Sequence, residues 1–374
     1  MLGAMLYVHA GKGHYIPAKA LTDAMERAGY QTCLLDMFGV LKAPFWQWYC
    51  KHEWRFMLHH PRLERFYHRL LDSHFIASVL RALSVRLHTN RDFISWYEQT
   101  KPDFILCTNF LGGSVIASIA KRANLKVPIF VYAADVFNNP KAGYCKTIDR
   151  LFIPTGLGVR NLLSQGYTEE QVRLSPFPLQ TSIQQMEKLS KSEARKLLGL
   201  EDRFTLLLNL GGEGIGSNAL LKQLIKHKLA WQVAVVGNIS EATKKRFHAL
   251  ASHLPGMSMH TPGFVSNIGH YMLACDVQAG KAGANALMES LSLGRPFLIN
   301  ELLHAARDTQ TFFQEYQVGW VIRRPKQQML TLKAFAEDET KQQSIDCNLK
   351  TLPLQFDSDQ FVNLLLNEVN SLAD

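Results

Sequence analysis

Residues 205–218 read TLLLNLGGEGIGSN. An apolar run of strand length passes into four glycines within six residues, and a helical pattern over 218–227 follows. Apolar runs of this length suit strands buried on both faces, as in parallel sheets whose crossovers are helices. The same order stands near the start of the chain. There MLYVHAGKGHYIPAKAL (5–21) runs from an apolar segment through Gly11-Lys12-Gly13-His14 into a helix expected over 16–28.

Working outward from these two starts, strand-like runs at 5–8, 31–35, 104–108, 129–132 and 151–153 alternate with helical patterns at 16–28 and 114–123. Beyond 204 the rhythm resumes. Strands at 205–210, 232–236, 257–260, 277–279 and 296–299 alternate with helices at 218–227, 243–254, 267–274, 284–293 and 310–315. The pattern predicts an α/β chain of two doubly wound, Rossmann-like domains. Ser175-Pro176-Phe177-Pro178 suits an extended hinge, which divides the chain into 1–178 and 179–374.

The 374 residues are 47% hydrophobic and 20% charged, which excludes both a disordered chain and a membrane bundle. No apolar run has transmembrane length and no charged-then-apolar leader opens the sequence, so cytoplasmic residence is expected. Cys33, Cys50, Cys107, Cys145, Cys275 and Cys347 form no CxxC pair and read as reduced small hydrophobes. Neither a metal nor a bound cofactor is expected. The net charge of +9 favours an anionic partner.

Most of that charge lies in 41–91, where nine Lys/Arg stand against three Asp/Glu, a net of +6. Trp46, Trp48 and Trp54 are interleaved there with Arg55, Arg62, Arg65 and Arg69. Helical spacing groups Phe66, Leu70 and Leu71 on one face, flanked by Arg62, Arg65 and Arg69. Basic side chains beside Trp and Tyr suit an insert that lies on an anionic membrane. An ordinary helical insertion, with its aromatics packed on the domain, is the alternative. Nucleic acid is not expected as a partner, since no reading motif accompanies the charge.

Three loops could carry chemistry. Gly11-Lys12-Gly13-His14 lacks the third glycine of a dinucleotide fingerprint and the Lys-Ser/Thr of a P-loop, so it is a ligand loop or a tight turn. Gly211, Gly212, Glu213, Gly214 and Gly216 allow close backbone approach to a phosphate, and Gly237-Asn238 follows the next strand in the same way. In GKAGANALMESL (280–291), a pyrophosphate would suit the amides near Gly283, Ala284 and Asn285, and Glu289 would accept from ribose hydroxyls.

Taken in order, these segments resemble the monogalactosyldiacylglycerol synthase and processive diacylglycerol glucosyltransferase group of glycosyltransferase family 28. The family's G-x-G-H matches Gly11, Gly13 and His14, and its glycine-rich loop matches Gly211, Gly212, Glu213, Gly214 and Gly216. Its G-[RK]-N matches Gly237 and Asn238; its G-F-V matches Gly263, Phe264 and Val265, with Asp276 following. Its K-x-G-x-x-x-x-x-E matches Lys281, Gly283 and Glu289, and the aspartate of its T-D segment matches Asp135. The chain departs from the family at Ala134, Pro176, Ala282 and Ala286. HAARDTQTFF (304–313) replaces G-Q-E-x-x-N and leaves Gln310 for the related part.

The resemblance implies the GT-B fold, two domains facing across a cleft, with the last helix packing back on the first. It implies a UDP-sugar donor on the second domain and a lipid acceptor, diacylglycerol foremost, on the first. A hexose, glucose or galactose, would be moved with inversion. His14 or Asp135 would take the acceptor's proton, and the sequence does not choose between them. The insert falls where the family meets membrane, which makes peripheral attachment to the inner face of the cell membrane the expected location. Transfer of N-acetylglucosamine to a polyprenyl-linked precursor, and an inactive lipid-surface protein, are the rival readings.

Overall fold

The computed structural model describes residues 1–75, 78, 79, 82, 90–212, 214, 217–301 and 307–373. It divides into two compact units, 1–184 with 353–374, and 185–352.

In the first unit, β1 (Leu2–Tyr7), β2 (Gln31–Asp36), β3 (Phe104–Cys107), β4 (Ile129–Tyr132), β5 (Arg150–Ile153) and β6 (Val172–Leu174) form one sheet. The order is β2-β1-β3-β4-β5-β6, with every pair parallel. Side chains alternate across it. Leu6, Ile105, Cys107, Val131 and Ile153 face one way, toward Val115, Ile116 and Ile119 of the helix Phe110–Arg122. Met5, Phe104, Leu106, Phe130 and Phe152 face the other, toward Leu21 and Met25 of the helix Tyr15–Arg27. The C-terminal helix Ser358–Ala373 shares that second face through Phe361, Val362, Leu365 and Val369. Burial on both faces explains why these strands read as unbroken apolar runs.

The chain leaves the first unit after Gln184, six residues beyond the hinge expected at 178. Segment 177–184 is bonded to the returning C-terminal chain: Phe177 N donates to Gln355 O (2.7 Å), and Asp357 N to Phe177 O (3.1 Å). Ser358 Oγ donates to Leu179 O (2.7 Å), and Gln184 Nε2 to Asp359 (2.8 Å). Glu368 accepts from both Arg150 and Arg173, pinning the helix to β5 and β6.

The second unit holds β7 (Thr205–Asn209), β8 (Gln232–Val236), β9 (Ser258–Gly263), β10 (Val277–Lys281), β11 (Phe297–Glu301) and β12 (Gly319–Val321), in the order β12-β11-β10-β7-β8-β9, again all parallel. Asp276, just before β10, accepts from Thr205 N (2.7 Å), Lys191 Nζ (2.6 Å) and Arg195 Nη2 (2.6 Å). It ties the helix Lys191–Leu197 to the amino-terminal edge of the sheet, the edge opposite the ligand loops.

Strand order reverses between β1 and β3 in the first unit and between β7 and β10 in the second. Open parallel sheets bind ligands outside the carboxyl ends of their strands at such reversals. That singles out the loops after Tyr7 and Cys107, and those after Asn209 and Lys281.

Among its described residues the basic insert includes the helices Pro44–His59 and Pro61–Leu71, each begun by a proline that needs no N–H at that position. Phe66 and Leu71 do not share a face as expected: Phe66 is 62% exposed and Leu71 4%. Five residues of α-helix turn by about 140°, so the two point apart. Leu71 packs with Ala142, and Glu64 is buried on the same side. Trp46 likewise turns inward and packs against the sheet's core. All six cysteines are free.

Candidate functional site

In the second unit three loops are bonded to one another at the carboxyl edge of the sheet. Asn209, the last residue of β7, accepts from Gly211 N through Oδ1 (3.0 Å), starting a tight turn. Gly211 O accepts from Asn238 N (2.9 Å), and Gly237 N donates to Gly263 O (2.9 Å), so the loops after β7 and β8 and the end of β9 run side by side. Glycine is required here. Gly214 has φ 67°, and a Cβ on it would collide with the Asn238 carbonyl; Gly237 has φ 118°, and its Cβ would stand 2.6 Å from Gly211 O. Glu213 and Gly216 lie outside the described residues.

The loop after β10 completes the junction. Lys281 lies against Gly211, where a Cβ would meet its Cε at 3.6 Å. Ala282 N donates to Glu301 O (3.0 Å), and the helix Ala284–Ser292 then begins with Gly283 as its N-cap, which has no side chain to cap the first turn. The amides of Ala284 and Asn285 therefore stand at a helix amino terminus beside a lysine, a setting that favours anionic oxygens. Phe264 is exposed just beyond β9, and Val265 packs against the cluster of Leu207, Ala234, Val236, Met272 and Cys275. Glu289 is 4% exposed, one and a half turns into its helix, and Gln310 is exposed on the helix Asp308–Tyr316.

One residue of this unit, Asn300, escaped the sequence reading, whereas Ser217 is one of the two N-cap candidates that the sequence offers before the helix at 218. Ser217 takes a left-handed conformation (φ 67°) as N-cap of the helix Asn218–Lys226, and its Oγ accepts from Asn300 Nδ2 (2.8 Å). Asn300, next to last in β11, is buried, and its Oδ1 has no hydrogen-bond partner among the described residues. Its only sequence signal was an amide ending an apolar strand.

In the first unit, Gly11 (φ 68°) turns the chain after β1 and delivers His14 to the start of the helix Tyr15–Arg27. Across the strand reversal, Thr108 and Asn109 follow β3. Thr108 Oγ1 donates to His14 O (2.7 Å), and His14 Nδ1 donates to Thr108 O (2.8 Å). A carbonyl can only accept, so Nδ1 carries the proton and Nε2 the lone pair of the neutral ring. Burial lowers the imidazole's pKa below its ordinary value, with the Thr108 carbonyl pulling the other way. His14 is therefore neutral at neutral pH. At the edge of the first sheet Asp36 accepts from the backbone of His9 (3.1 Å), Phe38 (2.9 Å) and Gly39 (3.2 Å).

Asp135 is half-buried in the loop after β4, the strand beside β3. Its neighbour Val136 is held at φ 54°, a conformation costly for a β-branched residue. Thr155 Oγ1, which donates to Val136 O (2.6 Å), and Asn161 Nδ2, which donates to Phe137 O (2.8 Å), secure it. Of the insert residues, Trp48 is 57% exposed, and Arg62, Arg65 and Arg69 are exposed around Leu63 and Phe66. The side chains of Trp54 and Arg55 lie outside the described residues. Among the described residues no three His, Cys, Asp or Glu gather as a metal site would require, and no helix is long and apolar enough to cross a membrane.

Two parallel six-stranded units with loops gathered at both strand reversals define the GT-B fold. MurG from Acinetobacter baumannii superposes with a TM-score of 0.63 over 98% of this chain and 100% of its own, at 11% identity. The UDP-GlcNAc 2-epimerase of Neisseria meningitidis, bound to UDP-GlcNAc, gives 0.62 over 99% of each chain at 10% identity. At such identities the likeness is one of fold. No family model matches the chain. Sequence relatives narrow the group: the chain is distantly homologous to monogalactosyldiacylglycerol synthases and a processive diacylglycerol glucosyltransferase. It is 23% identical over 316 residues to the probable monogalactosyldiacylglycerol synthase 2 of Oryza sativa, covering 80% of this chain and 66% of that one. It is 24% identical over 278 residues to the processive diacylglycerol beta-glucosyltransferase of Bacillus pumilus, covering 73% and 70%. The chain thus spans just under two thirds of the rice relative's length.

Proposed function

We propose that this chain is an inverting glycosyltransferase that moves a hexose from a UDP-sugar to a lipid acceptor, with diacylglycerol as the first candidate. The observation that carries the reading is the junction of the second unit, where Gly211, Gly237, Lys281 and a helix start with glycine as its N-cap converge at the strand reversal. The diphosphate is assigned to the amides of Ala284 and Asn285 with Lys281 beside them. Glu289 and the 237–238 turn are assigned to the nucleoside. Charge developing on the departing UDP is then stabilised by dipoles already in place.

The first unit is assigned the acceptor. The acceptor hydroxyl attacks the anomeric carbon, the bond from that carbon to UDP breaks, and the hydroxyl proton passes to a base. His14 is our choice for that base, because its ring is neutral with the lone pair on Nε2. Asp135 is assigned to orient the acceptor. Exposed Phe45, Trp48, Phe56, Leu63, Phe66 and Phe75, set among Arg62, Arg65 and Arg69, support peripheral attachment to an anionic membrane.

Calorimetric titration of UDP into the full chain tests the donor half of the reading. Saturable heat is expected, lost in Lys281→Ala and in Gly237→Ala. Absence of UDP binding in the unaltered protein would sink both transferase readings and leave the lipid-surface protein standing.

A further inference from the structure

Asn109 stands directly on the catalytic histidine of the proposed reaction. It is the N-cap of the helix Phe110–Arg122, and its Oδ1 accepts from Gly112 N at 2.9 Å. An amide nitrogen cannot accept that bond, so the orientation of the side chain is fixed and Nδ2 is the atom turned toward His14. Nδ2 lies 3.1 Å from His14 Nε2. The ring is thus held at both nitrogens by consecutive residues, Nδ1–H on the Thr108 carbonyl and Nε2 on the Asn109 amide. Both groups come from the loop after β3, across the strand reversal from His14.

We propose that Asn109 is the positioning residue of His14: its amide fixes the ring's tautomer and holds the Nε2 lone pair until an acceptor hydroxyl takes its place. This rests on His14 being the base, as assigned above.

The chemistry follows from which atoms can donate. A protonated ring would set Nε2–H against the Asn109 N–H, two donors facing each other, so the amide opposes protonation in the empty site. When the acceptor docks, its hydroxyl donates to Nε2 in place of Nδ2, one neutral hydrogen bond exchanged for another. The ring does not rotate, since the Thr108 carbonyl still holds Nδ1. Asn109 keeps its cap on Gly112, so the loop is not disturbed by the exchange. The proton then arrives on a nitrogen already aimed at it.

Two variants separate this role from the cap. Asn109→Ser keeps an N-capping oxygen but is too short to reach His14. Asn109→Asp keeps the cap and turns the donor into an acceptor. The measurement is the titration of the His14 ring by NMR, in histidine-labelled full-length protein without substrate, the signal assigned with His14→Gln. In Asn109→Asp the ring's pKa is expected to rise by about one unit or more, because a carboxylate accepts from Nε2–H. A smaller rise is expected in Asn109→Ser, with thermal unfolding of both close to the parent. In transfer assays Asn109→Ser should lower kcat roughly tenfold or more while KM for the UDP-sugar holds. An unchanged His14 titration in both variants overturns the proposal. If the parent protein transfers no sugar, the reading of its function fails, and the NMR titration still decides what Asn109 does.

Discussion

At the scale of single residues, His14 shows how far a motif can be read. G-x-G-H placed a histidine at a strand-to-helix turn, and the structure gives that histidine a tautomer and a neutral ring. His14→Ala is expected to lower transfer by about a hundredfold or more while UDP binding is kept, since removing a general base costs about 10²–10⁴-fold. The sign of the pH dependence follows from the lowered pKa. Activity is present above the ring's pKa and is lost as pH falls through it, at a midpoint below the ordinary histidine value. An acidic limb centred well above that value would contradict the assignment. Asn109 and Asn300 were not legible in the sequence. Each reads as a lone amide beside an apolar run, and only the strand order, which sequence spacing does not encode, brings Asn109 to His14 and Asn300 to Ser217.

At the scale of elements, the strands and glycine loops were legible because burial on both faces leaves unbroken apolar runs that glycines punctuate. β6 and β12 were not: at three residues each they carry too little pattern to separate from loop. The insert was legible as basic and aromatic, yet its facing was misread. Burial of Leu71 and Glu64 turns Leu63 and Phe66 outward together with Arg62, Arg65 and Arg69. Each arginine near an anionic surface contributes about 1 kcal/mol. Replacing all three by alanine should therefore weaken co-sedimentation with anionic vesicles on the order of a hundredfold at low salt, and far less at high salt. Equal co-sedimentation of parent and variant at low salt would remove the insert's membrane role.

At the scale of the whole molecule, two sheets built on similar principles carry different chemistry. The order β2-β1-β3-β4-β5-β6 brings a histidine and an amide to its reversal, and β12-β11-β10-β7-β8-β9 brings glycines, a lysine and a helix start to its own. The division of labour between acceptor and donor chemistry is proposed from that contrast. The return of the C-terminal helix to the first unit, held by Phe361, Leu365 and the Arg150–Glu368–Arg173 cluster, came from packing that has no local motif. The most direct test of the account is the mass of the lipid formed when the full chain meets radiolabelled UDP-glucose, UDP-galactose or UDP-N-acetylglucosamine on anionic vesicles containing diacylglycerol and a polyprenyl-linked acceptor. The account predicts a labelled product heavier than diacylglycerol by one hexose residue. A labelled polyprenyl product in its place, or no labelled lipid with any UDP-sugar, would contradict it.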